Sequence, residues 1–288
     1  MRQVVIHADD VGMCHGANRA FVELSHAGTI GAGSVMVPCP WFPEIAAIAA
    51  DDPDLDVGVH LTLNAEQAGY RWAPLTRPGS ASGLTDDSGY CWATVAEVRA
   101  HAHPDAVEAE WRAQIDRALG AGIDVTHLDT HMGSALAPEW CERYVQVGID
   151  YGVPALVTGR IADYGPNNHL EGVDPNALDG AVAMARDAGM PVFDRVLETD
   201  FGRRRGDDHD YPAMFATAHD DDLVYCAFHP CCPGEIEMIE PDAHHVRVDE
   251  YELFGHPSWR GWLDEQQFEI VGMRPFRDAM RSGSGPVE

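Results

Sequence analysis

Short apolar runs alternate with longer segments of helical periodicity along most of the chain. Residues 3–8 (QVVIHA) read as a buried strand and 15–27 as a helix ending at Gly28. A second strand is expected over 30–37 and a second helix over 41–50. In 55–64 (LDVGVHLTLN) the period is two: Val57, Val59, Leu61 and Leu63 share one face, and His60, Thr62 and Asn64 the other. Residues 65–93 break this rhythm with Gly, Pro, Ser and Asp around Tyr70, Trp72, Tyr90 and Trp92, and read as a loop insertion. The pattern then predicts helices over 94–119, 138–151, 175–189, 248–264 and 275–281, with strands over 123–130, 154–157, 191–197, 222–228 and 267–272. Arg203, Arg204 and Arg205 beside Asp207, Asp208 and Asp210 read as a solvated loop, and the tail 282–288 as disordered.

About seven strand-then-helix units predict an α/β chain with a parallel sheet, either a barrel or an open doubly wound sheet. The expectation is one (β/α) barrel-like domain over residues 1–281, a distorted TIM-like barrel, with no linker and no internal repeat. The first strand runs into HADDVGMCHG, which is not a GxGxxG turn, and no GxxxxGK[ST] occurs, so nucleotide binding is disfavoured.

Composition narrows the partners. With 45% hydrophobic and 23% charged residues the chain is an ordinary globular mix. Its 47 acids face 19 bases, all of them arginine, for a formal charge of −28 that repels phosphate backbones and argues against nucleic acid. That surface fits a GC-rich genome or a halophilic source. No run of roughly 18 apolar residues occurs, so no membrane partner is expected. The opening MRQVVIHADD lacks the basic flank and cleavage site of a secretory signal. The seven cysteines show no paired metal spacing and read as reduced thiols, which makes a cytoplasmic location the expectation.

The chemistry gathers at strand ends. Asp9 and Asp10 close the first strand, His60 lies in the third, His127, Asp129 and His131 end the strand at 123–130, and His229 follows the strand at 222–228. In an α/β barrel the carboxyl ends of the strands converge on one mouth. Two imidazoles and a carboxylate with open positions form the ligand set of hydrolytic metal sites, which activate water and polarise a carbonyl. One of Asp9 and Asp10 then binds metal while its neighbour serves as general base, and His229 is placed to protonate a leaving amine.

The runs HADDVGMCHGANRAF, VGVHLTLN, THLDTH and FHP, with EAEWRAQIDRAL ahead of THLDTH, resemble the YdjC/ChbG family of carbohydrate deacetylases, related to NodB-type polysaccharide deacetylases. The resemblance runs from residue 3 to about 280 and is weakest over 160–220. It implies Asp10, His60 and His131 as metal ligands, Asp9 as general base and His229 as general acid. His127 and Asp129 would orient the ligands or bind substrate. It also implies a barrel-like fold, one divalent ion (magnesium or zinc), and hydrolysis of an N-acetyl group from an amino sugar or small chitin-derived oligosaccharide. Many members carry further histidines where this chain reads DTHMGSAL, so Met132, Gly133 and Ser134 change the expected substrate. The competing readings are another metal-dependent amidase or phosphoesterase, for which Arg160 or Arg203–Arg205 would supply cations, and a sugar-binding barrel without chemistry. The assembly is left open, with a homodimer as one form.

Overall fold

The computed structural model describes residues 2–159, 169, 173–174, 176–207, 210–219 and 222–283. Arg160, Asp208 and the tail from residue 284 lie outside them; Ser282 and Gly283 end and cap the last helix. The strands are β1 (Arg2–Val11), β2 (Ala32–Val35), β3 (Val57–Leu61), β4 (Leu128–Thr130), β5 (Arg195–Glu198), β6 (Val224–Phe228) and β7 (Phe268–Ile270), every pair of them parallel. The connections carry α1 (His15–His26), α2 (Phe42–Asp51), α3 (Val95–His101), α4 (Pro104–Gly120), α5 (Cys141–Tyr151), α6 (Asp179–Asp187), α7 (Tyr211–Phe215), α8 (Ile236–Ile239), α9 (His244–Gly255), α10 (Pro257–Glu265) and α11 (Arg274–Ser282).

The sheet is curled, in the order β4-β3-β2-β1-β6-β5. The α/β class, the parallel sheet and its barrel-like curl are as expected; a full barrel of seven strand–helix units is not seen to close among the described residues. β7 pairs with Arg2–Val4 of β1, below the His7–Val11 stretch that holds β2, so it extends one edge of β1 and adds nothing to the arc. Between β4 and β5 the described residues make only the isolated bridges Leu128↔Ala155 and Thr158↔Phe193. The strand expected over 154–157 is thus reduced to bridges, because Pro154 has no N–H to extend a ladder.

Prolines also correct two helices. The segment 94–119 divides into α3 and α4, since Pro104 opens α4 and forces His103 to extended angles (φ −78°, ψ 131°). The segment 248–264 begins earlier, at His244, and divides at His256 before Pro257 in the same way. The strand at 123–130 narrows to Leu128–Thr130, although the Thr126 N–H already bonds to Val57 O. The strand at 191–197 shifts to Arg195–Glu198, Phe193 having bridged to Thr158. Within the 200–210 segment Arg203 is no solvated residue: its side chain is largely buried against Asp249.

The period-two pattern sorts the two faces of the sheet. Val4, Ile6 and Ala8 of β1 and Val57, Val59 and Leu61 of β3 are buried in the apolar core, with Phe21 and Leu24 of α1 and Val107, Trp111 and Ile115 of α4. Each buried Val, Leu, Ile or Phe among them contributes about 1.5–3 kcal/mol by leaving water. The intervening polar positions meet inside the curl. The 65–93 segment is pinned: Asn64 bridges Trp92, Thr85 bridges Cys91, and Ser80–Ser82 form a 3-10 turn. The buried Glu110 carboxylate of α4 accepts the Leu75 and Thr76 N–H groups and the Thr76 hydroxyl.

Candidate active site

The centre is set by an irregularity in β1. Adjacent strand residues point to opposite faces, yet Asp9 and Asp10 both reach the inside of the curl. Pairing of β1 with β2 slips between Ala8 and Val11, and Asp10 takes the left-handed φ of +58°. A bulge of this kind re-aims one side chain at a local cost of order 1–3 kcal/mol.

Asp10 then meets two imidazoles, His131 Nδ1 at 3.0 Å and His60 Nε2 at 3.3 Å from Oδ1, all three residues buried. One ligand atom from each of Asp10, His60 and His131 lies within 4.8 Å of the others, a group able to hold a metal ion. His60 has the ring orientation that a ligand needs. Its Nδ1 lies 2.9 Å from Asp129 Oδ1, which leaves Nε2 free to face Asp10. Asp129 is itself held by the Ser34 hydroxyl at 2.9 Å and the Tyr225 hydroxyl at 3.3 Å. The donor set therefore fits a divalent cation.

Asp9 lies beside this group, with Oδ1 2.6 Å from His7 Nδ1 and Oδ2 3.8 Å from His229 Nε2. His229 Nε2 is 3.9 Å from Asp10 Oδ2, and its Nδ1 is engaged by Thr199 Oγ1 at 2.8 Å. Asp9, Asp10, His60, Asp129, His131 and His229 thus come together. His127 turns away from the Asp10 group and pairs with His7.

Electrostatics separate the two aspartates. Burial pushes the Asp9 carboxyl well above the usual range. Burial acts the same way on Asp10, but Arg247 and His131 outweigh it and hold Asp10 well below that range. Burial opposes charge on His131, yet Glu66 and Asp10 raise it to about 9; His60 is likewise raised against its burial, by Asp129 and Asp10. Burial drives His229 well below the ordinary histidine value. These directions favour a protonated Asp9 and a neutral His229, the reverse of the starting states for base and acid. A cation beside Asp9 favours its carboxylate form.

Four residues escape a reading of the sequence alone. Arg247 of α9 touches Asp10 Oδ2 at 2.8 Å while forking onto Glu240 at 2.7 and 2.8 Å. Glu66, five residues past the end of β3, reaches His131 Nε2 at 2.9 Å. His7 sits in an apolar strand, and Glu250 supports His229 through its N–H at 2.6 Å. Only His7 carried a local signal, its place two residues before Asp9 on the same face.

The site opens into a cavity of 330 Å³ bounded by Glu66, Met132, Phe201, Glu240 and Arg247. The aromatics of the 65–93 segment are otherwise engaged. Trp72 is buried edge-on to His131, Tyr70 bonds to Met13 O, Trp92 stacks on His101, and the half-exposed Tyr90 lies under Arg71. All seven cysteines are free and buried, and among the described residues no helix is long and apolar enough to cross a membrane.

The sequence profile described as YdjC-like protein matches residues 3–265. A carbohydrate deacetylase of Thermus thermophilus is 34% identical, with 97% of this chain and 95% of the relative aligned. Carbohydrate deacetylase 1 of Listeria innocua is 30% identical, over 94% of this chain and 99% of the relative. An Enterococcus faecalis crystal structure, described as a candidate cellobiose-phosphate cleavage protein, superposes with a TM-score of 0.74 at 18% identity, covering 95% of this chain and 98% of that one. That likeness speaks to the fold alone.

Proposed function

The chain belongs to the YdjC-like protein family, and on that footing we propose that it is a metal-dependent carbohydrate deacetylase that removes an N-acetyl group from an amino sugar or small oligosaccharide. The observation that carries the proposal is the β1 bulge, which turns two successive aspartates toward two imidazoles. Asp10, His60 and His131 would hold one divalent ion, which supplies water of lowered pKa and a polarised carbonyl. Two imidazoles favour zinc or a similar transition metal over magnesium, which prefers oxygen ligands.

Asp9 takes the proton of the attacking water. Its Oδ1 is held by His7, so Oδ2 is the oxygen presented to the pocket. His229 presents Nε2 beside that oxygen and carries a proton to the departing nitrogen, with its ring fixed by Thr199 at Nδ1. Asp129 keeps the His60 ring turned toward Asp10. Arg247 argues against a phosphoesterase: its guanidinium is already shared by Glu240 and Asp10, leaving little for a phosphate. A binding barrel has no need of both aspartates.

Acetate release from a panel of N-acetylated sugars, by chelated enzyme and by enzyme restored with zinc, magnesium or manganese, tests the reading. Release that depends on added metal is expected. Asp9→Asn should still bind metal and lose about 10²–10⁴ in turnover. Metal-loaded enzyme that frees no acetate from any sugar would point to another scissile bond, and undiminished turnover in Asp9→Asn would remove Asp9 as the base.

A further inference from the structure

Two loops that carry the site are joined by a pair of thiols. Cys14 stands four residues after Asp10, at the N-terminal cap of α1, and Cys231 two residues after His229, in the loop that follows β6. Their Sγ atoms lie 3.5 Å apart, the only hydrogen-bonded pair of thiols among the described residues. Both residues are completely buried, in an apolar cluster with Met13, Ala17, Trp72 and Ile236. The backbone is shaped to bring them together. A Cβ on Gly16 would fall 2.8 Å from Cys231 Sγ and 2.6 Å from Cys232 O, so a side chain there would push the Cys231 loop off α1. Gly16 O accepts the Cys232 N–H and Arg247 O the Cys231 N–H, each at 3.1 Å, which ties the same loop to the residue that holds Asp10.

The two sulfurs are not equivalent. Cys14 sits where the N–H groups at the start of a 12-residue helix favour negative charge. The hydrogen bond from Cys231, joined by the Ala17 N–H, lowers its thiol below the ordinary value against the effect of burial. Cys231 is raised by the same bond and by burial, and its hydrogen also faces Cys232 O at 3.4 Å. Cys14 is therefore the nucleophile and Cys231 the thiol that resolves it. Complete burial keeps out glutathione-sized disulfides, which must seat directly on the attacking sulfur. A hydroperoxide scarcely larger than water is the oxidant able to reach the pair.

We propose that Cys14 and Cys231 close into a disulfide when a hydroperoxide reaches them, and that this bond switches the site off by drawing the Asp9–Asp10 turn and the His229 loop together. The chemistry balances with hydrogen peroxide as the one co-reactant. The Cys14 thiolate attacks a peroxide oxygen, an S–O bond forms, the O–O bond breaks, and hydroxide leaves to take up the proton that Cys14 had released. Cys231 Sγ then attacks the sulfenic sulfur of Cys14: the S–S bond forms, the S–O bond breaks, and the departing hydroxide leaves as water with the Cys231 proton. Two thiols lose two electrons and two protons, and one peroxide becomes two waters. The sulfurs must close from 3.5 Å to about 2.05 Å. Tight packing at Gly16 leaves the side chains little room to do this alone, so the loops take up the movement. A misplacement of about 1 Å at a reacting group can cost about 10²-fold in rate. The disulfide stands on its own; its effect on turnover rests on the deacetylase reading.

Peptide mapping of zinc-loaded protein, kept native through treatment with hydrogen peroxide and then alkylated in denaturant, tests the pair. A Cys14–Cys231 link, two hydrogens lighter than the thiols, should form, with Cys39, Cys91, Cys141, Cys226 and Cys232 left to the alkylating reagent. Turnover should fall at least about tenfold as the link accumulates, and return with dithiothreitol. Glutathione disulfide at the same excess should leave the pair reduced. A sulfinic acid at Cys14, a Cys231–Cys232 link, unchanged thiols or a mixed disulfide with glutathione would overturn the disulfide, and a complete link with undiminished turnover would overturn the switch. Cys231→Ser should match the reduced wild-type protein in acetate release and keep that activity through the peroxide treatment; equal inactivation of the variant would show that peroxide acts elsewhere. Should the wild-type protein free no acetate at all, the deacetylase reading falls while the mapped link still judges the disulfide.

Discussion

Glu250 accepts hydrogen bonds from the hydroxyls of Thr199 and Tyr211, each at 2.7 Å, and from the N–H of His229, all of which favour its charged form. Burial nevertheless outweighs them and raises its pKa from 4.5 to about 7. Folded chains therefore keep a proton that unfolded chains have lost, and stability should fall as pH rises from about 4.5 to about 7, with the full loss present above that window. A shift of this size corresponds to roughly 3 kcal/mol. Glu250→Gln should flatten the pH dependence of the denaturant midpoint by about one proton between pH 5 and 7, whatever its effect on the midpoint itself. An unchanged slope would show that this carboxyl ionises in the fold as it does in water. What the sequence exposed at this scale was alternation: His60, Asp129 and His131 stand out because polar residues at period two in apolar strands have few reasons to be there. Glu250 and Arg247 were hidden because they lie on a helix whose polar positions look solvated until tertiary packing turns them onto His229 and Asp10.

Elements were legible where their ends carry chemical punctuation and illegible where a neighbour decides. Gly28 closed the first helix as read, whereas Pro104 and Pro257 broke two helices whose apolar periodicity runs straight through them. Closure into a full barrel was illegible because counting strands does not tell where each one pairs, and β7 pairs low on β1. The 65–93 segment shows the same limit. Its composition reads as a loop, yet one side chain from α4 fastens it, with Glu110 accepting Leu75 N–H at 2.9 Å, Thr76 N–H at 3.0 Å and the Thr76 hydroxyl at 2.7 Å. Gln114 adds its amide to the same carboxylate at 2.9 Å and also bonds the Thr62 backbone just past β3. Glu110→Ala leaves several buried donors unpaired at about 1–3 kcal/mol each. The variant should lose about 2–4 kcal/mol in denaturant melts and become sensitive to limited proteolysis between residues 74 and 90, before the rest of the fold opens. Cleavage that begins elsewhere would mean that the bridges at Asn64 and Thr85 suffice to hold the segment.

Across the whole molecule the charge is spent unevenly. Several arginines close onto acids in local pairs, such as Arg99 with Glu139, Arg143 with Glu108, and Arg277 with Asp124. Arg247 is consumed at the site by Glu240 and Asp10. The pairs neutralise themselves, so the formal excess of −28 is carried by acids without such partners, and their mutual repulsion acts against the folded state. Surface repulsion is screened once the Debye length, about 10 Å at 0.1 M salt, falls below the spacing of the charges, and it shrinks to about 3 Å at 1 M. The melting temperature in sodium chloride should therefore rise by several degrees, with most of the gain below about 0.3 M, where screening changes fastest. Sucrose at matched osmolality, which stabilises by exclusion and not by screening, should give a gradual rise without that early step. The two curves coinciding would assign the salt effect to exclusion and leave the acidic surface without a role in stability. The steep early rise would tie stability to the same negative field that concentrates divalent cations around Asp10, His60 and His131, so metal uptake should slow over the same range of salt.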